Sequence, residues 1–145
     1  MFKKILVPVD GSETAWRALN NALEIGKKFA SEILVVNVIQ PYNNAALLAV
    51  PLDHATINQG NSELEKVGDK VLELAKEMVG SYPHKVEYDM EVGHPSERII
   101  ALSKKVEADA IVLGSRGLSG IAEFFLGSVS SKVSQYATVP VLIVK

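Results

Sequence analysis

Residues 108–133 read ADAIVLGSRGLSGIAEFFLGSVSSKV, and the break at Gly114 governs how the whole chain is read. Before it stands a short, continuous apolar run without polar alternation, as expected of a strand covered on both faces. After it, residues 114–133 hold four glycines and five serines among twenty positions, with a single arginine, Arg116. Small hydrogen-bonding residues directly after a buried strand mark a junction where backbone groups are offered to something outside the sheet.

Working outward, the same kind of apolar run recurs. KKILVPV near the N-terminus and SEILVVNVI at residues 31–39 are continuous and β-branched, and VPVLIVK closes the chain. Between them the apolar period changes from that of a strand to that of a helix. A helix capped by Ser12 is predicted to face the core with Ala15, Leu19, Ala22, Leu23, Gly26, Phe29 and Ala30. The second helix, NSELEKVGDKVLELAKEMVG, is predicted to use Leu64, Val67, Val71, Leu74, Ala75 and Met78. PSERIIALSKKVEA forms a third helix with Pro95 in its first turn, and SVSSKVSQYA a fourth. KVEYDMEV alternates strictly, with Val86, Tyr88, Met90 and Val92 on one side, so it is half solvated and belongs at an edge. Right-handed crossovers then give an α/β fold: a doubly wound, open five-stranded parallel sheet in order 3-2-1-4-5, helices on both faces. A single domain over residues 1–145 is expected. Residues 40–60 are the one irregular stretch, with a helical turn possible at its LLAV core.

Composition narrows the function. The formal net charge of −2 argues against a general nucleic-acid or anionic-membrane binder. With no cysteine, thiolate chemistry and cysteine metal sites are excluded. MFKKILVPVDGS has too short an apolar run for a signal peptide, and no segment approaches membrane-spanning length, which predicts a cytoplasmic protein.

In this topology ligands bind beyond the strand ends at the switch point, between strand 1, ending in PVDGS, and strand 4, ending in GSRG. Gly114 and Gly117 are expected to permit positive φ and close approach of the backbone to a ligand. Gly127-Ser128 opens the last helix, whose free N–H groups and dipole favour an anion. Ser128 and Ser130 add hydroxyls and Arg116 a fixed positive charge. Each has an ordinary alternative as a turn or a cap, Asp10 included; together they favour a phosphate cradle.

The spacing Gly114-x2-Gly117-x9-Gly127-Ser128 resembles the nucleotide motif of the ATP-binding branch of the universal stress protein family. The resemblance extends over ILVPVDGSE, GHPSERI, ADAIVLGSRG and VPVLIVK. It implies a Rossmann-like sheet of the adenine nucleotide alpha hydrolase type, with ATP as ligand and Mg²⁺ or Mn²⁺ bound through its phosphates. By that resemblance Pro8, Val9 and Asp10 line the adenosine end, with Asp10 near the ribose or a metal, and Val38 contacts adenine. Gly114, Ser115, Arg116 and Gly117 lie around the ribose and phosphates, and Gly127, Ser128, Val129 and Ser130 hold the phosphate chain. It further implies a nucleotide-responsive regulator of the stress response. Slow ATP hydrolysis and a nucleotide-free interaction module stand as the alternatives.

Other signals are weaker. His54, His84 and His94 have no metal-ligand spacing, and His94 reads as a helix-entry residue. P-loop, dinucleotide and nucleophile-elbow motifs are absent, and DGSET is too short for a flavin phosphate loop. The closing strand is an almost wholly apolar edge guarded only by Pro140 and Lys145. Antiparallel self-pairing across a two-fold axis resolves this and predicts a homodimer, with Phe124 and Phe125 extending the surface.

Overall fold

The computed structural model describes residues 1–41, 53–118 and 126–145. Five parallel strands form one sheet: β1 (Lys4–Pro8), β2 (Glu32–Ile39), β3 (Val86–Val92), β4 (Ala110–Gly114) and β5 (Val141–Val144), in order β3-β2-β1-β4-β5. This is the expected order, with the alternating β3 and the C-terminal β5 at the edges. The helices are α1 (Glu13–Phe29), α2 (His54–Val79), α3 (Pro95–Lys105) and α4 (Ser128–Tyr136).

Strand residues divide by parity between two apolar layers, because successive side chains leave opposite faces of a sheet. Ile5, Val7, Ile33, Val35 and Val112 pack with Ala15, Leu19 and Ala22 of α1 and Val71, Leu72 and Ala75 of α2. Leu6, Leu34, Val36, Ile111 and Leu113 pack with Ile99 and Leu102 of α3 and Val133 of α4. Burial on both faces is what the continuous apolar runs require. The seam that matters for function is β1 against β4, in the register Ile5 to Ala110 and Leu6 to Ile111.

Several local expectations are corrected. α2 begins at His54, so part of the stretch read as irregular is helix, capped by Asp53, which accepts from Thr56 N–H at 2.7 Å. That hydrogen bond holds the Asp53 carboxyl below its ordinary pKa. The buried stripe of α2 is Gly68, Val71, Leu72 and Ala75, whereas Val67 is 59% exposed. The reason is close approach: a Cβ on Gly68 would stand 2.8 Å from Asn37 Oδ1 and 2.9 Å from Met90 Cε, so the helix is rotated to lay its smallest residue on the sheet. Phe29 is exposed, its ring tilted against that of Phe2 at 5.3 Å between centroids, and Ala30 ends α1 in the left-handed region. The LLAV segment, Phe124 and Phe125 lie outside the described residues.

Candidate nucleotide site

The site is built where the two turn-rich junctions meet. After β1, Gly11 takes φ of 89° and turns the chain into α1. Asp10 Oδ1 accepts from Ser12 N–H at 2.9 Å, and Ser12 Oγ caps the helix by accepting from Ala15 N–H. Asp10 therefore has a turn role on one oxygen, while Oδ2 has no hydrogen-bond partner among the described residues and faces Gly117. β2 fixes the preceding residue from both sides: Val9 N–H donates to Val36 O, and Asn37 Nδ2 donates to Val9 O, each at 2.8 Å.

After β4 the chain is pinned by its backbone. Arg116 O accepts from Thr14 Oγ1 at 2.7 Å and from Ser12 Oγ at 3.3 Å. Arg116 is half-buried on the cavity wall, and its guanidinium has no ion-pair or hydrogen-bond partner among the described residues. The chain returns at Gly127, whose N–H donates to Ser115 O at 2.8 Å. Ser130 Oγ donates toward the same carbonyl at 2.9 Å. Gly127, rather than Ser128, is the N-cap of α4, and no side chain caps the helix. The amides of its first turn lack intrahelical acceptors by helix geometry, and carry the positive end of the dipole.

These arms enclose a cavity of about 190 Å³. Its wall includes Pro8, Val9, Asp10, Val38, Gly114, Arg116, Gly117, Gly127, Ser128, Val129 and Ser130. Among the residues expected at the site, Ser115 is set apart: it is buried behind the wall and acts through its backbone. Sequence reading missed Ala15, Val36, Pro95, Ile99 and Leu113, which complete an apolar floor. Their signal is indistinguishable from that of core residues, since Val36, Ile99 and Leu113 also belong to the α3–α4 layer.

The glycines act differently from the expectation. None of Gly114, Gly117 and Gly127 takes positive φ. A Cβ on Gly114 would stand 2.5 Å from Thr14 Oγ1 and 2.8 Å from Ala15 N, so this glycine lets β4 touch the start of α1. A Cβ on Gly127 would lie 3.3 Å from Ser115 O, so this glycine lets the two arms of the loop come together. Gly117 lies on the cavity wall, and its Cβ position would meet only Asp10 Oδ2, at 3.1 Å. The hydroxyls also divide, since Ser128 is exposed at the cavity while the proton of Ser130 is engaged inside the protein. His94 is the exposed N-cap of α3, with Nδ1 3.1 Å from Ser96 Oγ, and lies off the cavity wall. Among the described residues no group of three or more His, Asp or Glu side chains converges on a metal position.

Comparison with known proteins places this geometry. The universal stress protein YxiE of Bacillus subtilis is 37% identical over 150 residues, covering 100% of both chains. The solved structure of protein MJ0577 of Methanocaldococcus jannaschii is similar, with a TM-score of 0.85 and 30% identity, over 100% of this chain and 96% of that one. A universal stress protein of Archaeoglobus fulgidus, solved in complex with dAMP, shares the fold at a TM-score of 0.73 and 23% identity, with 100% of each chain covered. The universal stress protein family matches residues 1–145, so the chain belongs to that family.

Proposed function

We propose that the protein binds ATP, with Mg²⁺ or Mn²⁺ held through its phosphates, and serves as a cytoplasmic, nucleotide-responsive homodimeric regulator in the stress response. One observation carries the reading. An uncapped helix N-terminus, a free guanidinium and a half-free carboxylate converge over an apolar floor at the β1–β4 switch point. The floor suits a purine ring; the α4 amides and Arg116 suit phosphate. The enclosed volume of about 190 Å³ is below the roughly 300–1,000 Å³ of pockets that engulf a drug-sized ligand, which favours a buried base and an open phosphate tail. The dAMP complex of the Archaeoglobus relative and a cAMP complex of another universal stress protein support a nucleotide.

A divalent ion fits as a companion of the phosphates. Mg²⁺ keeps several waters and takes one or two carboxylates beside phosphate oxygens, and Asp10 Oδ2 is the one carboxylate oxygen uncommitted on the described wall. We propose binding rather than efficient turnover. Among the described residues the wall offers no histidine, and its one carboxylate is half occupied by Ser12 N–H.

Calorimetry with ATP and Mg²⁺ tests the reading directly. Arg116→Ala is expected to weaken ATP by about 10- to 150-fold, the loss of a charge-assisted hydrogen bond of roughly 1.5–3 kcal/mol, and adenosine much less. Equal losses for both ligands make Arg116 structural, and no heat from wild-type protein refutes the proposal.

The dimer half of the proposal rests on β5, an edge strand whose Leu142 is 43% exposed. Pairing of two such edges across a two-fold axis satisfies their outward backbone groups. Leu142→Lys is expected to shift a dimer to monomer at tens of micromolar in sedimentation velocity, with the melting curve little changed. A wild-type monomer under those conditions removes the interface.

A further inference from the structure

One residue joins the phosphate side of the cavity to the edge of the sheet. Ser115 is only 4% exposed and lies behind the cavity wall. Its N–H donates to Val144 O, at the end of β5, at 2.8 Å. Its carbonyl accepts from Gly127 N–H at 2.8 Å and from Ser130 Oγ at 2.9 Å, at the start of α4. The two peptide groups flanking one buried Cα are thus tied to the two structures that the proposed function links. Buried backbone groups are costly to leave unpaired, so neither tie is given up alone without a penalty.

β5 is a short edge strand, paired only with β4, in the register Ile111 to Val141 through Gly114 to Val144. Such strands open at low free energy. Fraying from the Val144 end must break the Ser115 bond. We infer that Ser115 is a positioning residue through which occupancy of the anion site at the α4 N-terminus orders the C-terminal edge strand, with the Ser130 hydroxyl as the link. The inference rests on the nucleotide reading and gives it a means of regulation. A bound phosphate chain holds the first turn of α4, that turn holds the Ser115 carbonyl through two donors, and Ser115 holds the end of β5. The strand so ordered is the one a second copy would pair with.

The coupling has a measurable signature. A ligand suppresses only those openings that destroy its own site, by a factor of 1 + [L]/Kd. Amide hydrogen exchange is measured on the full chain with and without ATP and Mg²⁺, at about 100 times the Kd found by calorimetry for each variant. In wild type, exchange at Ser115 and at those β5 amides that donate to β4 is expected to slow by about 100-fold. Ser130→Ala, with one of two donors removed, is compared at about 100 times its own Kd, whatever that Kd is, and the slowing at β5 is expected to fall below about 10-fold. Ser134→Ala removes a hydroxyl that donates to Ser131 O on the exposed face of the same helix, and is expected to behave as wild type. Bound ATP with unchanged exchange at β5 overturns the coupling. Full slowing in Ser130→Ala overturns the role of that hydroxyl as the link. Absence of ATP binding, seen separately in the calorimeter, overturns the nucleotide reading and the coupling with it.

Discussion

Gly114→Ala is expected to destabilise the protein by about 3 kcal/mol, at the upper end of the usual cost of overpacking. The added Cβ would stand 2.5 Å from Thr14 Oγ1, 2.7 Å from the Thr14 carbonyl carbon and 2.8 Å from Ala15 N. The hydroxyl alone can rotate away, but the other two atoms are backbone in the first turn of α1. β4 and α1 must therefore separate, and that opens the layer where Val112 packs with Ala15, Ala18 and Leu19. Because Thr14 and Ser12 also hold Arg116 O, the same movement disturbs the loop over the cavity. Urea unfolding measures the effect. A change below about 0.5 kcal/mol would show that the helix yields easily and that Gly114 is not a packing glycine.

Gly117→Val is expected to act in the opposite way, with ATP affinity reduced at least about 100-fold and stability nearly unchanged. Gly117 is exposed at the cavity mouth, where nothing in the described interior depends on it. Its Cβ position faces Asp10 Oδ2 at 3.1 Å, so the valine methyl groups would stand between that carboxylate and the ligand space. Calorimetry against ATP with Mg²⁺, alongside a thermal melt, separates the two glycines. Loss of stability at Gly114 and loss of ligand at Gly117 is the expected pair. Wild-type affinity in Gly117→Val would remove the residue from the proposed site.

The contrast between these neighbours explains what was legible in the sequence. Strand order was legible because continuous apolar runs such as ILV and AIVL demand cover on both faces, while KVEYDMEV does not. The switch point follows from that order, and it predicts that Asp10, Arg116 and the start of α4 meet, as they do on the cavity wall. The purpose of each glycine was not legible. A glycine that relieves a clash with α1, one that brings two loop arms together and one that faces the cavity are identical letters. The different placements of Ser115, behind the cavity wall, and Ser130, on it, were not legible for a related reason, since a serine at a cavity and a serine holding a carbonyl carry the same hydroxyl. The α2 stripe was rotated because apolar periodicity weighs Val67 and Leu74 above Gly68, whereas contact with Asn37 and Met90 favours the residue without a side chain.

The register at the centre of the sheet has a kinetic consequence. Ile5 pairs with Ala110 and Leu6 with Ile111, so the seam beneath the cavity joins residues from opposite ends of the chain. Lys4 N–H donating to Asp109 Oδ2 spans 105 residues in the same place. Closing so long a loop is slow, and its entropy must be met before the contacts repay it. During synthesis β1 has β2 as its available neighbour until β4 has emerged, leaving the edge of β1 that faces β4 unpaired. The cavity, which needs both sides of the seam, is then among the last parts to assemble. A nucleotide would meet a nearly finished protein, acting on the final step of folding and leaving the early steps to the α1 and β2 segments alone.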